Sequence, residues 1–444
     1  MSSAEQAYLF RHAVVRDAAY ALHLPSERSE LHRLAIGAIG DADAFAGELA
    51  DHAMCAQDGA VMDSVSELQS AEKTFRERAA RYAAQRDATP ELVEHMLRLA
   101  DLPQPTTKAR IDCLARAGSA LMGMGRLDRA EAIALRMNEL ARQANDRVQE
   151  ARSLRALMAV EATVGKSELA DAHLRESLAI LEELGDSGEL ASTLRAFALH
   201  TMSRGRYEES QQWINRAMPL SHANDTERAL LLDTRGGLEA NMGRHAEALT
   251  SYFESIRLSL KTGNVSKARD TRTGVATCLL ELGRLDEAEA EARALLAEFT
   301  RAARVPDQTA MHALLAAILS RRGDHHAAIE VYHEVLRARR EQGAVWHLID
   351  AFGSLAEALC NAGRFEEALP YAAEAMRHSR EQDNLSGIAR AHTLRGWIRQ
   401  AQGRLAEAER ELAEAARLQE RLTETGRAEQ VQARLAEVRR QLGR

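Results

Sequence analysis

Aromatic side chains make up only 4% of these 444 residues, and there are just 7 prolines and 4 cysteines. Each shortage excludes something. Aromatic and β-branched residues are scarce and the apolar fraction leans on Ala and Leu, so a large sheet lacks its preferred material and helix is favoured. So few prolines leave room for long uninterrupted helices. Cys55, Cys113, Cys278 and Cys360 stand far apart, which suits reduced thiols in a cytoplasmic protein and no four-ligand metal cage. No run of about 18 apolar residues occurs, so no membrane-spanning helix is expected. The first residues include Glu5, Arg11, Arg16 and Asp17, where a secretion signal needs an apolar stretch. With 58 basic against 66 acidic side chains and a net charge of −8, there is no global positive field for nucleic acid or an anionic membrane. The 45% apolar content is nevertheless ample for a packed core.

What the chain has in abundance is periodicity. Eight related strings begin at Gly125, Gly165, Gly205, Gly243, Gly283, Gly323, Gly363 and Gly403, spaced by 40, 40, 38, 40, 40, 40 and 40 residues. Typical copies are GRLDEAEA at Gly283 and GRFEEALP at Gly363. Five residues after each Gly stands a small residue: Ala130, Ala170, Ser210, Ala248, Ala288, Ala328, Ala368 or Ala408. Seven residues before each Gly stands Gly118, Met158, Ala198, Gly236, Ala276, Ala316, Ala356 or Gly396, and all but Met158 are small. A glycine ends one helix in a left-handed turn, and the two small positions mark where paired helices approach closely. The flanks carry apolar residues at helical spacing, as in Leu355, Ala356 and Leu359. Polar turns such as Asn145-Asp146 and Asp383-Asn384 recur between units. Pro219 falls in the one 38-residue interval and is expected to end its helix early, while Pro370 lies early in another helix and is expected to kink it.

The unit is a helical hairpin, and its small–Gly–small spacing resembles the tetratricopeptide repeat. The resemblance runs from about residue 105 to the C-terminus and rests on the eightfold recurrence rather than on any single copy. It implies an all-α, right-handed superhelix. The spacing of 40 exceeds the family's usual repeat of about 34, so longer helices are expected. Four segments are expected: residues 1–64, helical and irregular; 65–104, a degenerate hairpin; 105–424, eight repeats; and 425–444, a polar capping helix. Helices are expected near 7–22, 28–37, 43–57, 65–85 and 90–102. The stretch Tyr8 to Ala35, YLFRHAVVRDAAYALHLPSERSELHRLA, resembles the region just downstream of the ATPase in bacterial STAND-type regulators. In that family a P-loop ATPase precedes this region. Here the chain begins at it, as expected of a truncated relative or an excised fragment, so no nucleotide chemistry carries over.

Other motifs dissolve into the repeat. The GKS of Gly165, Lys166 and Ser167 coincides with a repeat turn, and Val160 stands where a phosphate loop needs its first Gly. Gly118, Gly123 and Gly125 follow no strand, which a dinucleotide site requires. His52 and Cys55 share a helix face, but no second pair completes a zinc site. His12 and His32 read as packed histidines, and His325-His326 as a solvated turn. No catalytic constellation and no cofactor or metal site is expected.

In tetratricopeptide arrays the first helix of each hairpin lines the concave face. Counting back thirteen, ten, six, three and two residues from each Gly places Arg152, Arg155, Arg195, Asp233, Asn241, Asp270, Arg321, Asp350, Glu357, Asn361 and Trp397 inward. The groove is expected to be basic at its start and acidic further on. Two outcomes follow. Either these charges dock a protein or peptide partner, with Arg152, Arg155 and Arg195 holding an anion, or they pair with one another across neighbouring repeats. For the arginines, Glu161 and Glu168 are the candidate neutralising residues. The functional expectation is a non-enzymatic, cytoplasmic interaction scaffold of a signalling or transcription-regulating system. The alternative is a sensor repeat domain for a small molecule or signalling peptide.

Overall fold

The structure, a computed structural model, describes residues 20–443 apart from 87, 104–105, 223, 343–344 and 423–424. Among the described residues there are helices and turns and no strand. The chain divides into two compact units, one ending at Ala120 and the other beginning at Leu121.

The first unit contains α1 (Pro25–Ala38), α2 (Ala46–Cys55), α3 (Met62–Gln85), α4 (Thr89–Asp101) and most of α5 (Thr107–Gly123). Four of the five helices expected there are present; the stretch 7–22 lies almost wholly outside the described residues. α3 packs on both α2 and α4, covering Leu49, Ala50 and Ala53 on one side and Val93, Met96 and Leu99 on the other. A wholly buried carboxylate, Glu72, ties the three helices: it accepts from Gln57 at 2.7 Å and from Arg98 Nε at 2.6 Å. Burial of that charge is tolerated because its lone pairs are satisfied. His32, read as a packed residue, meets His52 through their Nδ1 atoms at 2.7 Å.

The second unit is a superhelix of helical hairpins. Its helices are α6 (Leu127–Gln143), α7 (Arg147–Val164), α8 (Ser167–Leu184), α9 (Ser187–Ser203), α10 (Tyr207–Ala217), α11 (Asp225–Asn241), α12 (His245–Lys261), α13 (Val265–Glu281) and α14 (Leu285–Arg301). They continue as α15 (Val305–Arg321), α16 (His325–Gln342), α17 (Val345–Asn361), α18 (Phe365–Glu381), α19 (Leu385–Ala401), α20 (Leu405–Leu422) and α21 (Thr425–Gln441). All eight repeat glycines have φ between +71° and +90°, the left-handed region where a Cβ is penalised. The N–H that follows each closes back over the helix end, as in Arg364 N to Leu359 O at 2.8 Å. The small positions are sealed: Ala248, Ala288, Ala328, Ala368 and Ala408 are all at 0% exposure. A Cβ on Gly236 would lie 2.8 Å from the Tyr252 ring, and one on Gly396 would lie 2.6 Å from Leu412. These glycines therefore set how near the second helix can come. α10 stops at Ala217 and yields to a 3₁₀ turn, Met218–Ser221, which holds Pro219. α18 runs unbroken through Pro370.

One feature of the second unit goes beyond a chain of nearest neighbours. The turn after α9 reaches the start of α19, nearly five hairpins later. Leu385 N donates to Arg204 O at 3.1 Å, and Asp383 receives Arg204 and Arg206, each at 2.9 Å. Beneath them Tyr207, Ile214 and Leu238 share a core with Ala389, Leu418 and Leu422. Ser167 likewise bonds Gln382 at 3.2 Å.

Candidate functional site

The residues expected to face inward fall into two sets. In the early hairpins they are consumed by ion pairs between consecutive first helices. Arg155 meets Glu189 at 2.8 Å and also donates to Thr193 Oγ1 at 3.1 Å; Arg152 meets the same Glu189 at 3.3 Å. Arg195 meets Glu227 at 3.4 Å, and Asp233 meets Lys267 at 2.5 Å. Asp270 holds Arg304 at 2.5 Å, and burial pushes its carboxyl above the usual range. Burial also pulls the Arg155 guanidinium below its ordinary value, against the pull of Glu189.

Arg152, Arg155 and Arg195 come together on one face of the early groove, where two carboxylates meet the three guanidiniums: Glu189 serves Arg152 and Arg155, and Glu227 serves Arg195. The neutralising residues are Glu189 and Glu227 rather than Glu161 and Glu168; Glu161 instead takes His173 at 2.8 Å.

The later residues line open space. A cavity of about 860 Å³ is walled by the first helices α13, α15, α17 and α19, with Tyr332 of α16, Gln419 of α20 and the inner side of α21. Four expected residues stand in it: Arg321, Glu357, Asn361 and Trp397. Arg321 pairs with Glu281 at 2.9 Å, and Glu357 pairs with Arg390 at 2.7 Å. Asn361 reaches Ser320 Oγ at 3.5 Å. The Trp397 ring carries the Arg434 guanidinium 4.3 Å above its centre. Tyr332 is buried and its hydroxyl is held un-ionised by desolvation. A side chamber of about 240 Å³ adjoins the main cavity, since Ser386, Arg390 and Leu394 line both. Asn241 and Asp350, also expected inward, line this chamber, together with Met202 and Tyr207 from the early hairpins.

The counting missed the partners. Glu189, Glu227 and Lys267 lie sixteen residues before their glycines, one helical turn beyond the last position counted. Each is opposite in sign to the residue ten before the preceding glycine, and this alternation is the signal that could have found them. Also missed were Tyr332 and Gln419 on second helices and the contribution of α21, which no repeat position specifies. No group of metal-ligating side chains occurs among the described residues, and none of their helices is long and apolar enough to cross a membrane.

Tetratricopeptide repeat family models match residues 347–421 and 311–344. No curated protein matches the chain. Among solved structures, the fold resembles a Rap protein complexed with Competence and Sporulation Factor. That likeness has 12% identity and a TM-score of 0.52, and it covers 75% of this chain and 98% of that one. A tetratricopeptide repeat protein from Parabacteroides merdae aligns at 14% identity over 65% of this chain and 99% of its own, with a TM-score of 0.39. The hairpins between residues 311 and 421, which supply most of the cavity wall, thus match tetratricopeptide repeats.

Proposed function

We propose that the chain is a non-enzymatic interaction scaffold that holds a peptide, or an extended segment of a protein, in the groove of hairpins five to eight. The observation that carries this reading is the cavity of about 860 Å³ between first helices, lined by Arg321, Glu357, Asn361, Trp397 and several side-chain amides. Its size suits a bound ligand, and its mixed polar and apolar lining suits a main chain with alternating side chains. The groove is preformed by packed hairpins, so little ordering of the protein opposes binding. The Rap protein of similar fold is complexed with a factor, which is consistent with capture by such a framework. A place in a cytoplasmic signalling or transcription-regulating system belongs to the same reading, supported by the STAND-like stretch up to Ala35.

The sensor reading has one observation in its favour. The side chamber joins early and late hairpins, so a small molecule there would bridge them. The main cavity, open and of mixed lining, favours the scaffold.

The test is an array of random dodecapeptides probed with the full chain and with Asn361→Trp, which fills the groove from an exposed position. Capture by the wild type that is lost in the variant is expected. Equal capture by both would remove the groove from the function.

A further inference from the structure

The cations that line the main cavity are not equivalent. Arg321 and Arg390 are each satisfied by a carboxylate, Glu281 and Glu357. Arg434 differs. Among the described residues no carboxylate lies within ion-pair distance of it. Its contacts are the Trp397 ring at 4.3 Å and Gln400 Oε1 at a long 3.4 Å. A half-buried guanidinium held over an indole is restrained by the ring, and its remaining donors are left for a ligand. The cavity thus presents one cation with no carboxylate of its own among the described residues, which matches a carboxylate of a bound peptide.

We infer that Arg434, held on Trp397 by the C-terminal helix α21, docks an acidic side chain of the bound peptide. This rests on the groove reading above. It gives α21 a recognition role besides capping. The helix covers the core through Val431, Leu435 and Val438 and turns Arg434 into the cavity. Bidentate pairing of guanidinium and carboxylate in a partly desolvated site makes the contact selective for Asp or Glu over their amides.

The experiment uses the full chain and the array-selected dodecapeptides. Each captured peptide is resynthesised with every Asp or Glu changed in turn to the amide. Affinity is then measured for the wild type, Arg434→Gln and Arg434→Lys, with melting curves to establish that each variant is folded. For the wild type, one acid-to-amide change is expected to weaken binding about tenfold or more. In Arg434→Gln the same change should have no further effect, and Arg434→Lys should retain part of the preference. Raising salt should weaken the wild type more than Arg434→Gln. Capture that is blocked by Asn361→Trp but indifferent to every acid-to-amide change would overturn this inference and leave the groove reading standing. An undiminished acid preference in folded Arg434→Gln would do the same. Capture insensitive to Asn361→Trp, or no capture at all, would remove both.

Discussion

The early and late hairpins share one framework and differ in what their first helices hold between them. From the second hairpin to the fifth, an ion pair spans each step: Arg155 to Glu189, Arg195 to Glu227, Asp233 to Lys267. At the equivalent steps further on, the paired positions hold Thr273 and Asp307, then Ala313 and His347, then Gly353 and Gly387. The long charged side chains give out, and the cavities open there. A Cβ at Gly353 would stand 3.0 Å from Arg390 Nη1, so the missing side chain lets Arg390 lie across α17 to reach Glu357. The difference teaches that a repeat can be periodic in its packing and aperiodic on its inner face. The first property makes the fold; the second decides where a ligand fits.

The largest expected effect separates the two ends. Glu189→Ala takes the shared carboxylate from Arg152 and Arg155, whose side chains are 18% and 21% exposed. Leaving buried cations unpaired costs about 3–5 kcal/mol in full burial; partial exposure lowers this to about 2–4 kcal/mol. Glu357→Ala takes the near carboxylate from Arg390, 26% exposed, which keeps Asp350 at 4.0 Å and Ser354 at 3.2 Å, so the loss should be smaller, about 1–2 kcal/mol. Urea unfolding of both variants checks the pair. Equal losses would mean that the early ion pairs are no more structural than the late ones.

A smaller effect should be common to both ends. Ala248→Leu and Ala368→Leu each force a larger side chain into a helix crossing at 0% exposure, for about 1–3 kcal/mol apiece. Similar losses in the two would show that the packing repeat is uniform where the inner face is not. An unchanged melting temperature in either would mean that the crossing is looser than its burial implies.

These contrasts also mark what the sequence could tell. The hairpins were legible because Gly and small residues at fixed spacing answer to local backbone and steric demands, which recur identically in every copy. Of the positions counted inward for the same reason, four stand in the main cavity. Their state was not legible, because whether Arg155 is available depends on a residue 34 positions away in the next hairpin. Nor was the contact of Arg204 with Asp383, 179 positions apart, since superhelical pitch sums small angles over many hairpins and no single motif encodes it. Arg434 lies beyond the last repeat glycine, where counting from glycines ends.

The smallest effect concerns pH and lies at the late end. His347 occupies the position where Glu189 and Glu227 stand in their repeats, and with Ala313 opposite it has no ion pair to make across that step. Burial, aided by the nearby Arg339 cation and opposed by Asp350, pulls its imidazole down to about 4. The folded chain therefore keeps His347 neutral at a pH where the unfolded chain, near the ordinary value of about 6.5, has taken up the proton. The unfolded state binds more protons, so stability rises with pH through this window and falls as pH drops below about 6.5. For this one residue the loss between pH 7 and pH 5 should be about 1–2 kcal/mol. His200 in the early hairpins is also lowered by burial, but Asp171 at 2.8 Å opposes the shift. Its share of the slope should be the smaller one. Melting temperatures from pH 7 to pH 5 should fall less steeply in His347→Gln than in the wild type, with His200→Gln between them. Parallel curves for wild type and His347→Gln would place that imidazole in water and return the late step to the pattern of the early ones.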